Sequence, residues 1–102
     1  MTPDQYHLCK IAEECTEVAQ RALKAQQFGL GEKQEGQSLN NLERLVYEFH
    51  DLFVTFDNFL GAVDSGMRTT PDEHFTKARL LKMRKYLDLA KRLDQVADET
   101  CI

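Results

Sequence analysis

The sequence lacks a hydrophobic run of the roughly 20 residues that a membrane-spanning helix requires. Its first residues are polar and charged, where a secretory signal peptide would have an apolar block. Cysteine is scarce as well, because only Cys9, Cys15 and Cys101 occur, an odd number without a metal-type spacing. We therefore expect a cytoplasmic protein with reduced thiols and no membrane partner.

Strand-like alternation of apolar and polar residues, internal repeats and low-complexity tracts are also missing. The composition is that of a soluble globular protein, with 42% hydrophobic and 29% charged residues. A length of 102 residues predicts a single domain, 1–102, with a modest core. Small cores often grow by association of subunits, so we expect a homodimer or homotetramer.

Charge is distributed unevenly along the chain, although the net charge at pH 7 is only −4. Residues 1–67 contain 5 Lys and Arg against 11 Asp and Glu, whereas residues 68–92 contain 8 basic residues against 3 acidic ones. The first part is suited to cations and the second to phosphate groups. Nucleic-acid binding is disfavoured, because the first two thirds are acidic and no DNA- or RNA-binding motif is present.

Helix-start signals occur at three places. Residues 2–5, Thr-Pro-Asp-Gln, combine a capping threonine, a proline at the first helical position and a capping-box glutamine. Asn40 with Glu43 predicts a second start, and residues 70–73, Thr-Pro-Asp-Glu, repeat the first pattern. The glycine-rich residues 29–38 between the first two helices read as a loop.

Each predicted helix has an apolar stripe at helical spacing. The first contains Leu8, Ile11, Ala12, Cys15, Val18, Ala19, Ala22 and Leu23; the second contains Leu42, Leu45, Phe49, Leu52, Phe53, Phe56, Phe59 and Leu60; the third contains Phe75, Ala78, Leu81, Leu87, Ala90, Leu93 and Ala97. Phenylalanines at this spacing indicate a core or an oligomer interface. The expected fold is therefore all-α, a bundle of three main helices completed as a four-helix core by oligomerisation.

Two acidic pairs stand out on the first two helices. Glu14 and Glu17 are three residues apart, as are Glu48 and Asp51, so each pair shares one helix face. Either pair alone is more typical of a solvated face. Two helices side by side would bring four carboxylates together, and such a cluster requires a cation among the like charges. Oxygen ligands suit Mg²⁺ or Mn²⁺.

These residues resemble the signature of the MazG-like superfamily, the all-α nucleoside triphosphate pyrophosphohydrolases. Glu13-Glu14-x-x-Glu17 followed by Glu48-x-x-Asp51 resembles the acidic motifs. The segment Ala19-Gln-Arg-Ala-Leu-Lys-Ala-Gln-Gln-Phe-Gly29 resembles the stretch directly after the first motif in small, phage-type members. Asn41-x-Glu43-Arg44-Leu45 resembles the entry to their second helix. The resemblance covers about residues 8–60.

The resemblance implies hydrolysis of an NTP or dNTP to the monophosphate and pyrophosphate, with Mg²⁺ or, as a substitute, Mn²⁺. Glu14, Glu17, Glu48 and Asp51 would be the metal ligands, and Glu13 would act behind them or as a general base. It also implies a dimer, or a dimer of dimers, with a four-helix core. For a phage-encoded member, the location would be the host cytoplasm.

Basic residues would stabilise negative charge on the leaving pyrophosphate. Lys24 is the first candidate, about two turns beyond Glu17, and the alternative is a solvated cation near a helix C-terminus. Phe28 is a candidate for stacking on a base or for simple packing. Further candidates for substrate binding lie on the third helix: Lys77, Arg79 and Lys82.

A non-catalytic helical adaptor is the alternative function. In that case the phenylalanine-rich second helix would bind a partner helix and the acids would only be solvated. His50 lies between Glu48 and Asp51, but with Tyr47 and Phe53 three residues away it is interpreted as a packing or surface residue. The adaptor predicts neither metal affinity nor hydrolysis.

Overall fold

A computed structural model describes residues 1–97 of the chain and contains three α-helices, with no strand in that range. They are α1 (Pro3–Phe28), α2 (Asn41–Ala62) and α3 (Glu73–Arg92). The prediction of an all-α fold with three main helices is thus confirmed for this part of the chain. None of these helices combines the length and apolar character needed to cross a bilayer. Cys101 lies outside the described residues.

The start of α1 is as predicted. Thr2 is the N-cap, its side chain accepts a hydrogen bond from the Gln5 amide at 3.1 Å, and the Gln5 side chain accepts one from the Thr2 amide at 2.8 Å. Pro3 occupies the first turn, where no backbone donor is required. The helix ends before Gly29, whose φ of 98° is accessible to glycine at little steric cost.

The start of α2 is tied to the preceding loop as well as capped. Asn40 and Glu43 form the predicted capping box. The next two amides, which have no partner inside a helix, donate to loop carbonyls: Asn41 to Glu32 at 2.9 Å and Leu42 to Leu30 at 3.1 Å. The first turn of α2 therefore has all its free backbone donors satisfied by the chain itself.

The predicted cap of α3 is wrong by two residues. Asp72, not Thr70, is the N-cap, because its Oδ1 accepts a hydrogen bond from the Phe75 amide at 2.7 Å. The Asp72 carbonyl also accepts from the Thr76 hydroxyl at 2.8 Å. The predicted apolar stripe extends too far as well, since α3 ends at Arg92 and Ala97 lies outside the helix.

The chain divides into two compact units, Met1–Thr69 and Thr70–Ile102. In the first unit α1 and α2 form an antiparallel hairpin. His7 near the start of α1 has its ring 6.0 Å from that of Phe59 near the end of α2, whereas the Gly29 carbonyl after α1 accepts a hydrogen bond from the Asn41 side chain at the start of α2. This pairing fixes which residues face each other along the hairpin.

The surface of contact between α1 and α2, here called the seam, is more polar than the predicted apolar stripes. On α1 the half-buried and buried residues include His7, Ile11, Glu14, Val18, Arg21 and Ala25. Leu8 and Leu23 of the predicted stripe are 52% and 66% exposed, and Phe49 of α2 is 52% exposed. Each stripe is broad, and the other helix of the hairpin covers only one edge of it. The apolar centres of both stripes therefore face outward.

Candidate metal centre

Three of the four predicted metal ligands lie together in the hairpin. Each of Glu14, Glu17 and Glu48 offers a carboxylate oxygen, and the three oxygens lie within 4.8 Å of one another. The helical spacing aligns Glu14 and Glu17 on α1, and the antiparallel pairing sets Glu48 of α2 opposite them. The cluster therefore depends on both the local spacing and the register of the hairpin.

Two oxygens of this cluster are buried without a hydrogen-bond partner. They are Glu14 Oε2 and Glu48 Oε2, on residues that are half-buried, whereas Glu17 is exposed. A carboxylate removed from water without a donor or a cation is unfavourable. These two oxygens therefore require a positively charged or donating group that the described part of the chain does not supply.

Burial and crowding both raise the pKa of the two half-buried acids. For Glu14 the largest cause is burial, followed by the negative charges of Glu17, Asp51 and Glu13. For Glu48 burial again comes first, followed by a hydrogen bond and charge repulsion with Glu17. Two ionised carboxylates have no hydrogen to share, so that hydrogen bond exists only when one of them is protonated. Either a proton or a metal ion would reduce the repulsion between these carboxylates.

Asp51, the fourth predicted ligand, is not among the three converging residues. It is exposed on α2, one turn beyond Glu48. Its negative charge nevertheless contributes to the raised pKa of both Glu14 and Glu48. Asp51 is thus close enough to influence the cluster electrostatically without being one of its converging oxygens.

The residues present fit a hard divalent cation. All three donors are carboxylate oxygens, which Mg²⁺ and Mn²⁺ prefer. The three oxygens lie within 4.8 Å of one another, so their carboxylates would have to move closer together to bind one ion. The two buried, unpartnered oxygens would gain the partner they lack.

The remaining candidates on α1 are not among the three converging residues. Glu13 is exposed and forms an ion pair with Lys10 at 3.1 Å, so its carboxylate is directed along the surface of α1. Lys24 is half-buried near the end of the helix. Phe28 is the last residue of α1 and is 51% exposed.

The three basic candidates of α3 belong to the second unit. Lys77 pairs with Glu73 at 3.0 Å on the exposed surface. Arg79 and Lys82 flank Phe75 and Ala78 along an open groove of the same helix. Their role in substrate binding stays a prediction.

Arg21 was missed by the sequence analysis. It is half-buried on α1, and its Nη1 atom is buried without a hydrogen-bond partner. Its spacing contained a usable signal, because Arg21 follows Glu17 by four residues and Glu14 by seven, which places all three on one face of α1.

No protein-family model, no curated protein and no solved structure matches the chain.

Proposed function

We propose that the chain is a Mg²⁺-dependent nucleoside triphosphate pyrophosphohydrolase, in which Mn²⁺ can replace Mg²⁺. The observation on which this depends is the convergence of Glu14, Glu17 and Glu48 from two helices, with two buried oxygens that lack a partner. The resemblance of the acidic motifs to the MazG-like superfamily supplies the reaction class. Asp51 completes the proposed ligand set.

The proposed reaction breaks the anhydride bond between the α and β phosphoryl groups. One water molecule is consumed, one P–O bond forms and one breaks, and the products are a nucleoside monophosphate and pyrophosphate, with release of a proton. A bound divalent cation supplies charge neutralisation, polarises the phosphoryl group and lowers the pKa of a coordinated water.

The residues of the chain have separate tasks in this proposal. The carboxylates of Glu14, Glu17, Glu48 and Asp51 hold the cation. Lys24, which is half-buried near the loop end of α1, would stabilise negative charge on the leaving pyrophosphate. Glu13 is the weakest assignment, because its carboxylate pairs with Lys10.

The experiment compares the wild type with Glu48→Gln, which keeps the shape of the side chain and removes its charge. Both are incubated with Mg²⁺ and a panel of ribo- and deoxynucleoside triphosphates, and pyrophosphate is measured separately from orthophosphate. The proposal expects pyrophosphate and monophosphate from the wild type, with a loss of at least about 100-fold in the variant. Glu35→Gln, an exposed loop acid, is the matched control and should retain activity.

Hydrolysis that is equal in Glu48→Gln and the wild type would place the chemistry elsewhere. No product from any nucleotide, with Mg²⁺ or with Mn²⁺, would contradict the proposed activity. Release of orthophosphate alone would indicate a different phosphatase reaction.

We further infer that the working protein is a homodimer or homotetramer. Within the described residues only Ala25 and Asn41 are buried, whereas Phe49, Phe53 and Phe56 of α2 are between 37% and 52% exposed. Two helices form one layer and require a second layer to bury their apolar faces. The hairpin of a second copy, with the same apolar face, would complete a four-helix core.

A helical interaction module is the second candidate function, favoured by the same exposed phenylalanines. In that case a different protein covers the apolar face of α2, and the carboxylates have no cation to hold. Stabilisation by Mg²⁺ that disappears in Glu14→Gln would argue against this alternative, since a ligand specific to the native state raises its melting temperature.

A further inference from the structure

Arg21 is a further charged side chain on the face of α1 that contains the proposed metal ligands. It lies one turn beyond Glu17 and two turns beyond Glu14 on the same face. Its Nη1 is buried and has no hydrogen-bond partner, as is also true of Glu14 Oε2 and Glu48 Oε2 in the same hairpin. The hairpin therefore contains one unsatisfied donor together with two unsatisfied acceptors.

An ion pair with the carboxylates of the hairpin does not account for the buried Nη1 atom of Arg21. Arginine and carboxylate side chains that balance each other form short, often bidentate hydrogen bonds. Arg21 forms no ion pair with any described acid. Because burial of a charged donor without an acceptor is unfavourable, an anionic oxygen from outside the described residues would satisfy Nη1.

Two other cations of the hairpin already have partners. Lys10 pairs with Glu13 at 3.1 Å, and the Arg44 guanidinium donates to Gln34 Oε1 at 2.8 Å, which ties α2 to the loop. Arg21 differs from both, because its buried donor has no partner.

We propose that Arg21 binds the phosphate chain of a metal-bound polyphosphate. The identity of that polyphosphate as a nucleotide rests on the proposed function. A cation would satisfy the carboxylates, and a phosphate oxygen of the same ligand would satisfy Arg21. The planar guanidinium matches two phosphate oxygens at once, which the point charge of a lysine does not. Arg21 is thus a substrate-binding residue on the same face of α1 as Glu14 and Glu17.

The test measures binding of inorganic pyrophosphate to the full chain in the presence of Mg²⁺ by titration calorimetry. Wild type, Arg21→Gln, Arg21→Lys and Lys33→Gln are compared, the last removing one exposed charge from the loop of the same hairpin. We expect Arg21→Gln to weaken pyrophosphate binding roughly 10- to 100-fold, the effect of losing a charge-assisted hydrogen bond. Arg21→Lys should be intermediate, and Lys33→Gln should match the wild type.

Two further measurements separate this role from a structural one. Binding of Mg²⁺ alone should be unchanged or tighter in Arg21→Gln, because a nearby positive charge has been removed. Arg21→Lys keeps the positive charge, so without metal it should melt close to the wild type and yet bind pyrophosphate more weakly. An arginine that only supported the fold would lower the melting temperature in both Arg21 variants.

Three results would overturn the inference: equal pyrophosphate affinity in wild type and Arg21→Gln, joint loss of Mg²⁺ and pyrophosphate binding in that variant, or no pyrophosphate binding by the wild type. A nucleotide hydrolysis assay on the same samples distinguishes the two proposals. A wild type that binds pyrophosphate through Arg21 but hydrolyses no nucleotide contradicts the proposed function and supports the polyphosphate site.

Discussion

The ionised form of the Glu48 side chain is disfavoured in the hairpin. Its Oε2 is buried without a partner, and Glu17, Asp51 and Glu14 all repel its ionised form. The free energy of the metal-free protein is therefore raised by ionising the very groups that would hold a cation. The same repelling carboxylates would therefore lower the stability of the metal-free protein and provide the stabilisation by a bound cation.

The first prediction concerns pH. The pKa values of Glu14 and Glu48 lie above their ordinary range, so the folded state binds more protons than the unfolded state just above that range. The free energy of unfolding without metal should fall as pH rises from about 4 toward neutrality. Glu48→Gln should melt above the wild type at pH 7 in EDTA and approach it near pH 4, as followed by circular dichroism.

Glu35→Gln serves as the control for this measurement, because Glu35 is exposed in the loop. It should show the same pH dependence as the wild type. A Glu48→Gln curve parallel to that of the wild type would show that Glu48 does not contribute to the pH dependence.

The second prediction concerns the cation itself. Mg²⁺ at 100 times its dissociation constant should stabilise the wild type by about 2.7 kcal/mol. Glu14→Gln should lose most of this gain, because one of the three converging oxygens loses its charge. Thermal melting over a Mg²⁺ titration at pH 7 measures the difference. Equal Mg²⁺ stabilisation in wild type and Glu14→Gln would show that the ion binds elsewhere.

At the scale of the elements, the loop between α1 and α2 sets the register that brings Glu17 opposite Glu48. Asn41 is the most buried polar residue described, at 2% exposure, and its side-chain amide donates to the Gly29 carbonyl at 2.8 Å. The end of one helix is thus joined directly to the start of the next.

The third prediction tests that joint. Asn41→Ala leaves the Gly29 carbonyl without its donor and should lower the free energy of unfolding by about 1–3 kcal/mol. Chemical denaturation measures the loss. Asn58→Ala, an exposed substitution on α2, should change it by no more than about 0.5 kcal/mol. Equal effects of the two substitutions would show that the Asn41 hydrogen bond contributes little.

Helix ends were predictable where the signals are local. The capping boxes at Thr2 and Asn40 each use residues three apart, so sequence alone identifies them. The prediction of the start of α3 was wrong because Thr70 and Asp72 are both good caps. Only the Asp72 side chain accepts a hydrogen bond from the Phe75 amide. Two adequate signals close together cannot be ranked from local sequence.

It was less predictable which residues of each helix would face the other helix of the hairpin. Periodicity identifies the apolar side of each helix, but it does not say which part of that side meets which partner. Leu8 and Leu23 were expected in the stripe and are exposed, whereas Arg21 lies in the seam. The acidic spacing located Glu14, Glu17 and Glu48, but the orientation of Arg21 depends on the packing of α2.

For the whole molecule, the exposed aromatic face of α2 determines the expected assembly. Light scattering at micromolar concentration should give the mass of a dimer or tetramer, and a monomeric mass would contradict this fourth prediction. Phe53→Glu should shift the mass toward the monomer, because a charge in an apolar interface is unfavourable. Tyr47→Glu, an exposed aromatic off the stripe, is the control and should leave the mass unchanged.

The loop-anchored start of α2 has a consequence for hydrogen exchange. Amides in the first turn of a helix ordinarily exchange fast, since they have no partner within the helix. The amides of Asn41 and Leu42 instead donate to the carbonyls of Glu32 and Leu30. Their exchange therefore requires the loop to separate from α2, so these two amides report the opening of the hairpin at its loop end.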